Sequence, residues 1–203
     1  SRVLTGLIKK YILASWLAPY TLLSHACPGE IPSAAAAWIL TSGFALLVYL
    51  DFSGYTDVAV GLGKCLGYRL PENFDSPFLQ PNLLRFWERW HMSLTGWLRS
   101  QVFIPLSLWG GARLATLGTL LLVGLWHGFA WRWVLFGLLH GAALVLLREW
   151  TTLRSRWLGP AREVRWQKSA VVGSLSTAAT FLFTALSFSL ILYSPSDFGS
   201  LLR

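Results

Sequence analysis

Two histidines that each follow a tryptophan, Trp90-His91 and Trp126-His127, are the residues of this 203-residue chain best suited to acid–base chemistry. A neutral imidazole accepts a proton near neutral pH, and no other side chain does so unperturbed. His127 sits in Gly124-Leu125-Trp126-His127-Gly128, and no charged residue lies between Arg113 and Arg132. Burying an imidazole in so apolar a run costs free energy unless it is hydrogen-bonded, so His127 is either a packing residue bonded to a carbonyl or a base. Gly124 and Gly128 are expected to leave room beside it for a substrate. His91 closes Arg85-Phe86-Trp87-Glu88-Arg89-Trp90-His91 and, by position alone, reads as an interfacial histidine in an aromatic belt. Glu88, between Arg85 and Arg89, reads as a helix-surface ion pair rather than a general acid, leaving the arginines to hold an anionic carrier or lipid headgroup.

His140, in Leu139-His140-Gly141, is a third candidate member of the site. A haem or metal ion between His140 and His127 is the alternative chemistry, but no HExxH run or carboxylate cluster supports it, and the expectation is no metal site. His25, beside Cys27 in a Pro-Gly loop, reads as a surface residue. A nucleophile elbow, a Walker loop and a dinucleotide fingerprint are all missing from the sequence, and Gly61-Leu62-Gly63 is too short to count as one.

The elements that must position these histidines are membrane helices. Hydrophobic residues make up 54% of the chain and charged residues 13%, with a mean hydropathy of +0.51. That is too apolar for an ordinary water-soluble domain. The 17 Lys and Arg against 9 Asp and Glu lie mostly in connections between apolar runs, as cytoplasmic loops require, which argues against nucleic-acid binding. The two cysteines, Cys27 and Cys65, suit neither a disulfide framework nor a CxxC site. The opening at Ser1, with Met92 the sole methionine, makes a piece truncated at both ends the expectation.

Ile31 to Leu50 carries no charge and is long enough to span as a helix. Leu4 to Ser24 has a helical pattern, but Lys9 and Lys10 suggest a surface or snorkelling position. Leu114–Trp131 and Trp133–Leu147 read as an antiparallel hairpin turning at Arg132, the second arm short for a full span. Ser169–Tyr193, closed by Ser194-Pro195, is a fourth candidate. Arg148, Arg154, Arg156, Arg162, Arg165 and Lys168 mark a basic loop on the cytoplasmic side, which puts His127 roughly 20 Å along a helix from Arg113 and toward the far face. Asp51 to Leu108 is too polar for a simple lipid-facing span and reads as a cavity-forming or interfacial region. In it, Gly54, Gly61, Gly63 and Gly67 permit close helix approach, Pro71 and Pro77 interrupt helices, and Leu83–Leu98 forms an in-plane amphipathic helix. The fold class is all-α integral membrane, a multi-helix bundle with short interfacial or re-entrant helices around a funnel or tunnel.

The ordered words Asp51-Phe52-Ser53-Gly54-Tyr55-Thr56-Asp57, Leu70-Pro71-Glu72-Asn73-Phe74, Arg85 to Leu94, Trp97-Leu98-Arg99 and Gly124 to Gly128 resemble the membrane-bound O-acyltransferase family. The likeness is greatest to its bacterial alginate O-acetyltransferase branch, with the teichoic-acid D-alanylation proteins as cousins, and it covers about half the chain, from Asp51 to roughly Trp150. It implies one partial membrane domain over residues 1–203 with a motif-bearing core at 51–150. It further implies acyl, and foremost acetyl, transfer from a cytoplasmic thioester donor, either acetyl-CoA or an acylated carrier protein, to hydroxyls of an extracytoplasmic polysaccharide. His127 is then the general base and His91 the second site histidine. No bound cofactor is implied. The partners are membrane lipid, the polysaccharide acceptor and periplasmic or carrier proteins, and the location is the bacterial inner membrane, crossed several times. One departure is that Arg99 is followed by Ser100-Gln101-Val102, where such proteins continue with an aspartate and aromatics. Acyl transfer to teichoic acid and a nonenzymatic channel or flippase-like module are the alternatives.

Overall fold

The structure, a computed structural model, describes residues 1–21 and 33–192. His25, Cys27 and the end of the fourth apolar run at Tyr193, Ser194 and Pro195 lie outside the described residues. Among the described residues every regular element is a helix. Four helical stretches among the described residues are long and apolar enough to cross a membrane: Ala34–Cys65, Met92–His127, Trp131–Lys168 and Ala170–Ser189. The chain is a multi-pass, all-α membrane protein. The described residues form two compact units, Asp75–Phe183 and a second made of those within 1–74 and 184–192.

In the unit that begins at Ser1, α1 (Arg2–Leu7) runs through a π-helical stretch, Ile8–Ala14, into α2 (Ser15–Leu17). It packs on α3 (Ala34–Cys65), whose first turn is capped by the Ser33 hydroxyl accepting from the Ala36 N–H at 3.2 Å. The backbones approach so closely that a Cβ on Gly6 would sit 2.5 Å from the Gly54 carbonyl oxygen, and one on Gly61 2.6 Å from Val3. Of the glycines singled out in the sequence, Gly54 and Gly61 bring helices together, whereas Gly63 meets Leu70 beyond the helix and Gly67 meets nothing within 4 Å.

Lys9 and Lys10 are not snorkelling side chains. The Lys9 ammonium donates to Asp57 at 2.7 Å and Lys10 to Asp51 at 2.5 Å, while the Arg2 Nε donates to Asp57 at 3.0 Å and its guanidinium also grips Glu72. These pairs explain why α3 continues unbroken through Asp51 and Asp57, a stretch whose charges argued against a plain helix. Neutralised in place, both acids are compatible with an apolar neighbourhood. Arg2 holds the Glu72 carboxyl below its ordinary value of 4.5.

The other unit, Asp75–Phe183, holds the histidines. The expected single amphipathic helix over Leu83–Leu98 is two helices, α4 (Leu83–Arg89) and α5 (Met92–Leu98), broken at Trp90-His91. Asn82 caps α4, its Oδ1 accepting from the Arg85 N–H at 2.9 Å. α5 passes through a π-helical turn, Arg99–Phe103, into α6 (Ile104–His127), which bends at Gly111 with φ +77°, a conformation that costs glycine little. α7 (Trp131–Lys168) returns antiparallel to α6 after the turn at residues 128–130.

The expected basic loop after Leu147 is not a loop. α7 runs on through it and kinks at Gly159-Pro160, where Gly159 has φ +70°. Arg154 and Glu163, paired at 2.6 Å, staple the two sides of the kink, and Arg154 lies 5.7 Å over the Trp166 ring. The arm expected to be short is therefore of full spanning length. α8 (Ala170–Ser189) follows.

Candidate active site

α6 and α7 meet at glycines. A Cβ on Gly124 would lie 2.1 Å from the Trp133 carbonyl oxygen, and one on Gly137 2.4 Å from that of Leu120. This contact places the end of α6 against the start of α7. His127, the last residue of α6, stacks on the Trp133 indole with ring centroids 4.6 Å apart and planes 13° from parallel. The Trp126 ring stands edge-on to it at 4.7 Å.

His91 also meets this Trp126 ring, the two ring centroids 6.4 Å apart at 74°. The two Trp-His histidines, 36 positions apart in the sequence, thus share one indole. His91 adopts a left-handed backbone, φ +48° and ψ 54°, rare for a residue with a Cβ. The extended Trp90 ends α4, and the left-handed His91 starts α5 with its ring near Trp126. Strain of this kind persists only where surrounding packing holds it, and it clusters at functional sites. His91 lies outside the spanning helices, and partial burial lowers its proton affinity below the ordinary 6.5, favouring the neutral base.

Two expectations need correction. His127 is exposed rather than buried, because α6 ends at this residue and the turn carries the chain away from it. Nor do its glycines leave room for a substrate. The Trp133 backbone occupies the space beside Gly124, and a Cβ on Gly128 would lie 3.0 Å from the Trp133 ring. Those glycines admit the tryptophan that orients the imidazole.

The open space lies beside the hairpin instead. A mostly apolar cavity of about 580 Å³ runs along α6 from Val123, one turn before His127, to Thr116. Trp87 and Met92 line it near His91, and Arg148 and Thr151 line it on the part of α7 away from the turn. The Thr119 hydroxyl is buried on this wall without a hydrogen-bond partner. Neither Thr119 nor Trp133 was singled out from the sequence. Trp133 lies six residues after His127, close enough to fold back upon it, but Thr119 carries no sequence signal.

The flanking charges are occupied. Arg85 pairs with Glu88 at 3.0 Å, as expected for a helix surface, and Arg89 pairs with Asp75 at 2.5 Å, so neither arginine is a free anion-holding group. Arg113 pairs with Glu149 at 2.9 Å and ties α6 to α7. His140 is completely buried and accepts at Nδ1 from the Trp87 indole N–H at 3.2 Å, which commits it to packing rather than to a site shared with His127. Among the described residues no three His, Cys, Asp or Glu side chains converge as metal ligands.

The sequence model of MBOAT, the membrane-bound O-acyltransferase family, matches residues 31–166. The chain belongs to this family. Its relatives include the Azotobacter vinelandii protein named "Probable alginate O-acetylase AlgI", 39% identical over 155 residues that cover 73% of this chain and 30% of that protein. The Peptidoglycan O-acetyltransferase of Helicobacter pylori is 37% identical over 72% of this chain and 28% of its own length. More distant is the Teichoic acid D-alanyltransferase of Bacillus subtilis, 29% identical over 77% of this chain and 43% of that protein. The chain therefore spans about a third of the acetyltransferase relatives it matches. Both Trp-His pairs and the α6–α7 hairpin fall inside the segment matched to the MBOAT family.

Proposed function

We propose that the protein containing this chain is a membrane O-acyltransferase of the bacterial inner membrane. It moves an acetyl group from a cytoplasmic thioester to hydroxyls of an extracytoplasmic polysaccharide, with His127 as general base. The observation that carries this reading is the convergence of His91 and His127 on Trp126, one helical turn from the apolar cavity. Membership of the acyltransferase family and the acetyltransferases among the relatives support the reaction class.

The chemistry follows from the arrangement. His127, fixed by stacking on Trp133, takes the proton of an acceptor hydroxyl, and the freed oxygen attacks the thioester carbonyl carbon. The tetrahedral intermediate collapses as the C–S bond breaks. The leaving thiolate takes the proton back from the imidazolium, so that an ester and a thiol form and the base is regenerated. His91, neutral and in contact with the same indole, can hydrogen-bond the acceptor or the carbonyl oxygen.

The cavity suits the donor arm. Its apolar wall accepts a flexible thioester chain, the unpartnered Thr119 hydroxyl offers a hydrogen bond, and Arg148 supplies positive charge at the far part. The six cations from Arg148 to Lys168 support a cytoplasmic position for that part of α7. The two histidines then face the outer side, where the polysaccharide is.

Full-length protein in membrane vesicles, given labelled acetyl thioester and polysaccharide acceptor, should transfer label, and His127→Ala should abolish transfer at normal protein levels. Undiminished transfer by that variant removes His127 from the mechanism. The D-alanyltransferase relative supports a second reading for the donor. A D-alanyl thioester used in preference to the acetyl one would establish it.

A further inference from the structure

His140 has no accessible surface, although imidazole is a poor choice for an apolar core. It lies in the first third of α7, enclosed by Phe136 at 4.4 Å, Phe183 at 5.1 Å and Trp87 at 5.3 Å between ring centroids. Phenylalanine would fill such a place without a polar atom to satisfy. What imidazole adds is an acceptor, and its Nδ1 receives the Trp87 indole N–H at 3.2 Å. Accepting at Nδ1 places the ring proton on Nε2 and fixes one neutral tautomer.

Trp87 is the residue through which this bond reaches the site. It lies on α4 one turn before His91, and its indole forms part of the cavity wall. α4 is only seven residues long, Leu83–Arg89, too short to hold its own place by helix stability. The left-handed His91 follows two residues after its end, so rotation or sliding of α4 would carry that imidazole with it.

We propose that His140 is a positioning residue. By accepting the Trp87 N–H it locks α4 onto α7 and sets the place of His91 and of the cavity wall. This inference rests on the acyl-transfer reading for its kinetic consequence, though the hydrogen bond can be tested without it.

Three variants of the full-length protein test the lock. His140→Phe keeps the volume and removes the acceptor. His140→Asn keeps an acceptor near the Nδ1 position, and Trp87→Phe removes the donor. His140→Phe should lower kcat by about 10- to 100-fold, the cost of misplacing a site group by around 1 Å, with a smaller change in KM for the acyl donor. His140→Asn should recover most of the rate. The double variant His140→Phe/Trp87→Phe should be no slower than the slower single, because both remove one interaction. Wild-type kcat in His140→Phe, no rescue by His140→Asn, or multiplying losses in the double variant would each overturn the proposal.

In protein labelled with ¹⁵N-tryptophan, the indole N–H resonance that Trp87→Phe deletes should shift upfield in His140→Phe and return in His140→Asn. An unmoved resonance overturns the hydrogen bond itself. Should His140→Phe not fold, Trp87→Phe alone must show the loss in kcat, and a wild-type rate there refutes the lock. If the wild type transfers no acyl group, the acyl-transfer reading falls, and the indole resonance still decides the hydrogen bond.

Discussion

Gly124→Ala tests the packing on which the site depends. The added Cβ would lie 2.1 Å from the Trp133 carbonyl oxygen, whereas ordinary contact begins near 3.4 Å, so α6 and α7 must part by about 1.3 Å. The obstacle is backbone, and no rotamer change relieves it. His127 lies three residues after Gly124 and stacks on Trp133 itself at 4.6 Å, so the same separation opens the stack. A displacement of about 1 Å at a reacting group costs on the order of 100-fold in rate, and overpacking of this kind costs about 1–3 kcal/mol in stability. The assays are acyl transfer by full-length protein in vesicles and thermal unfolding in detergent. Gly173→Ala on α8 is the control. A Cβ there meets nothing within 4 Å, and alanine favours a helix over glycine, so its midpoint should hold or rise slightly. Gly124→Ala with wild-type rate and midpoint would refute both the close α6–α7 contact and the claim that it orients His127.

At His91 the backbone and the imidazole make opposite demands. His91→Gly should be more stable than His91→Ala by about 1 kcal/mol, because only glycine occupies φ +48° freely, while both lose transfer alike; equal midpoints would argue against the left-handed turn. Trp133→Leu removes the stacking partner of His127, an interaction of about 0.5–1.5 kcal/mol, and kcat should fall roughly tenfold with little change in KM for the donor. The Glu72 carboxyl, held below its ordinary 4.5 by Arg2, stabilises the fold above that pH and ceases to do so as pH falls through its lowered value. Both partners are substantially exposed, so the contribution is less than about 1 kcal/mol. Glu72→Gln should lower the unfolding midpoint at neutral pH and flatten its decline in acid, and identical pH curves would exclude the pair.

The spanning helices were legible from apolar length, and the two Trp-His pairs from residue type and order, because lipid imposes both constraints locally along the chain. Pairing between distant segments was less visible. Lys9 and Lys10 looked out of place in an apolar helix until Asp57 and Asp51, more than 40 positions away, met them. The glycines around His127 signalled close approach, but residue type could not say whether a substrate or Trp133 would fill the space. A cluster of arginines reads as a loop by charge, yet α7 carries it in helix, with the break at Gly159-Pro160 set by local chemistry that charge counting ignores. His140 read as a candidate third member of the site in the sequence, and only burial and the Trp87 bond assign it elsewhere.

The ion pairs between α1 and α3 constrain how the membrane receives these helices. A lone charge at the centre of a span costs about 2.5–3.5 kcal/mol on insertion, so Lys9 and Lys10, synthesised before their acidic partners, disfavour entry of the Ile8–Ala14 stretch by itself. The apolar first half of α3 carries no such penalty, while its second half brings Asp51 and Asp57. Each helix thus supplies the countercharge that the other lacks. Removing Asp51 or Asp57 would leave an ammonium of the N-terminal segment without its partner in an apolar surrounding.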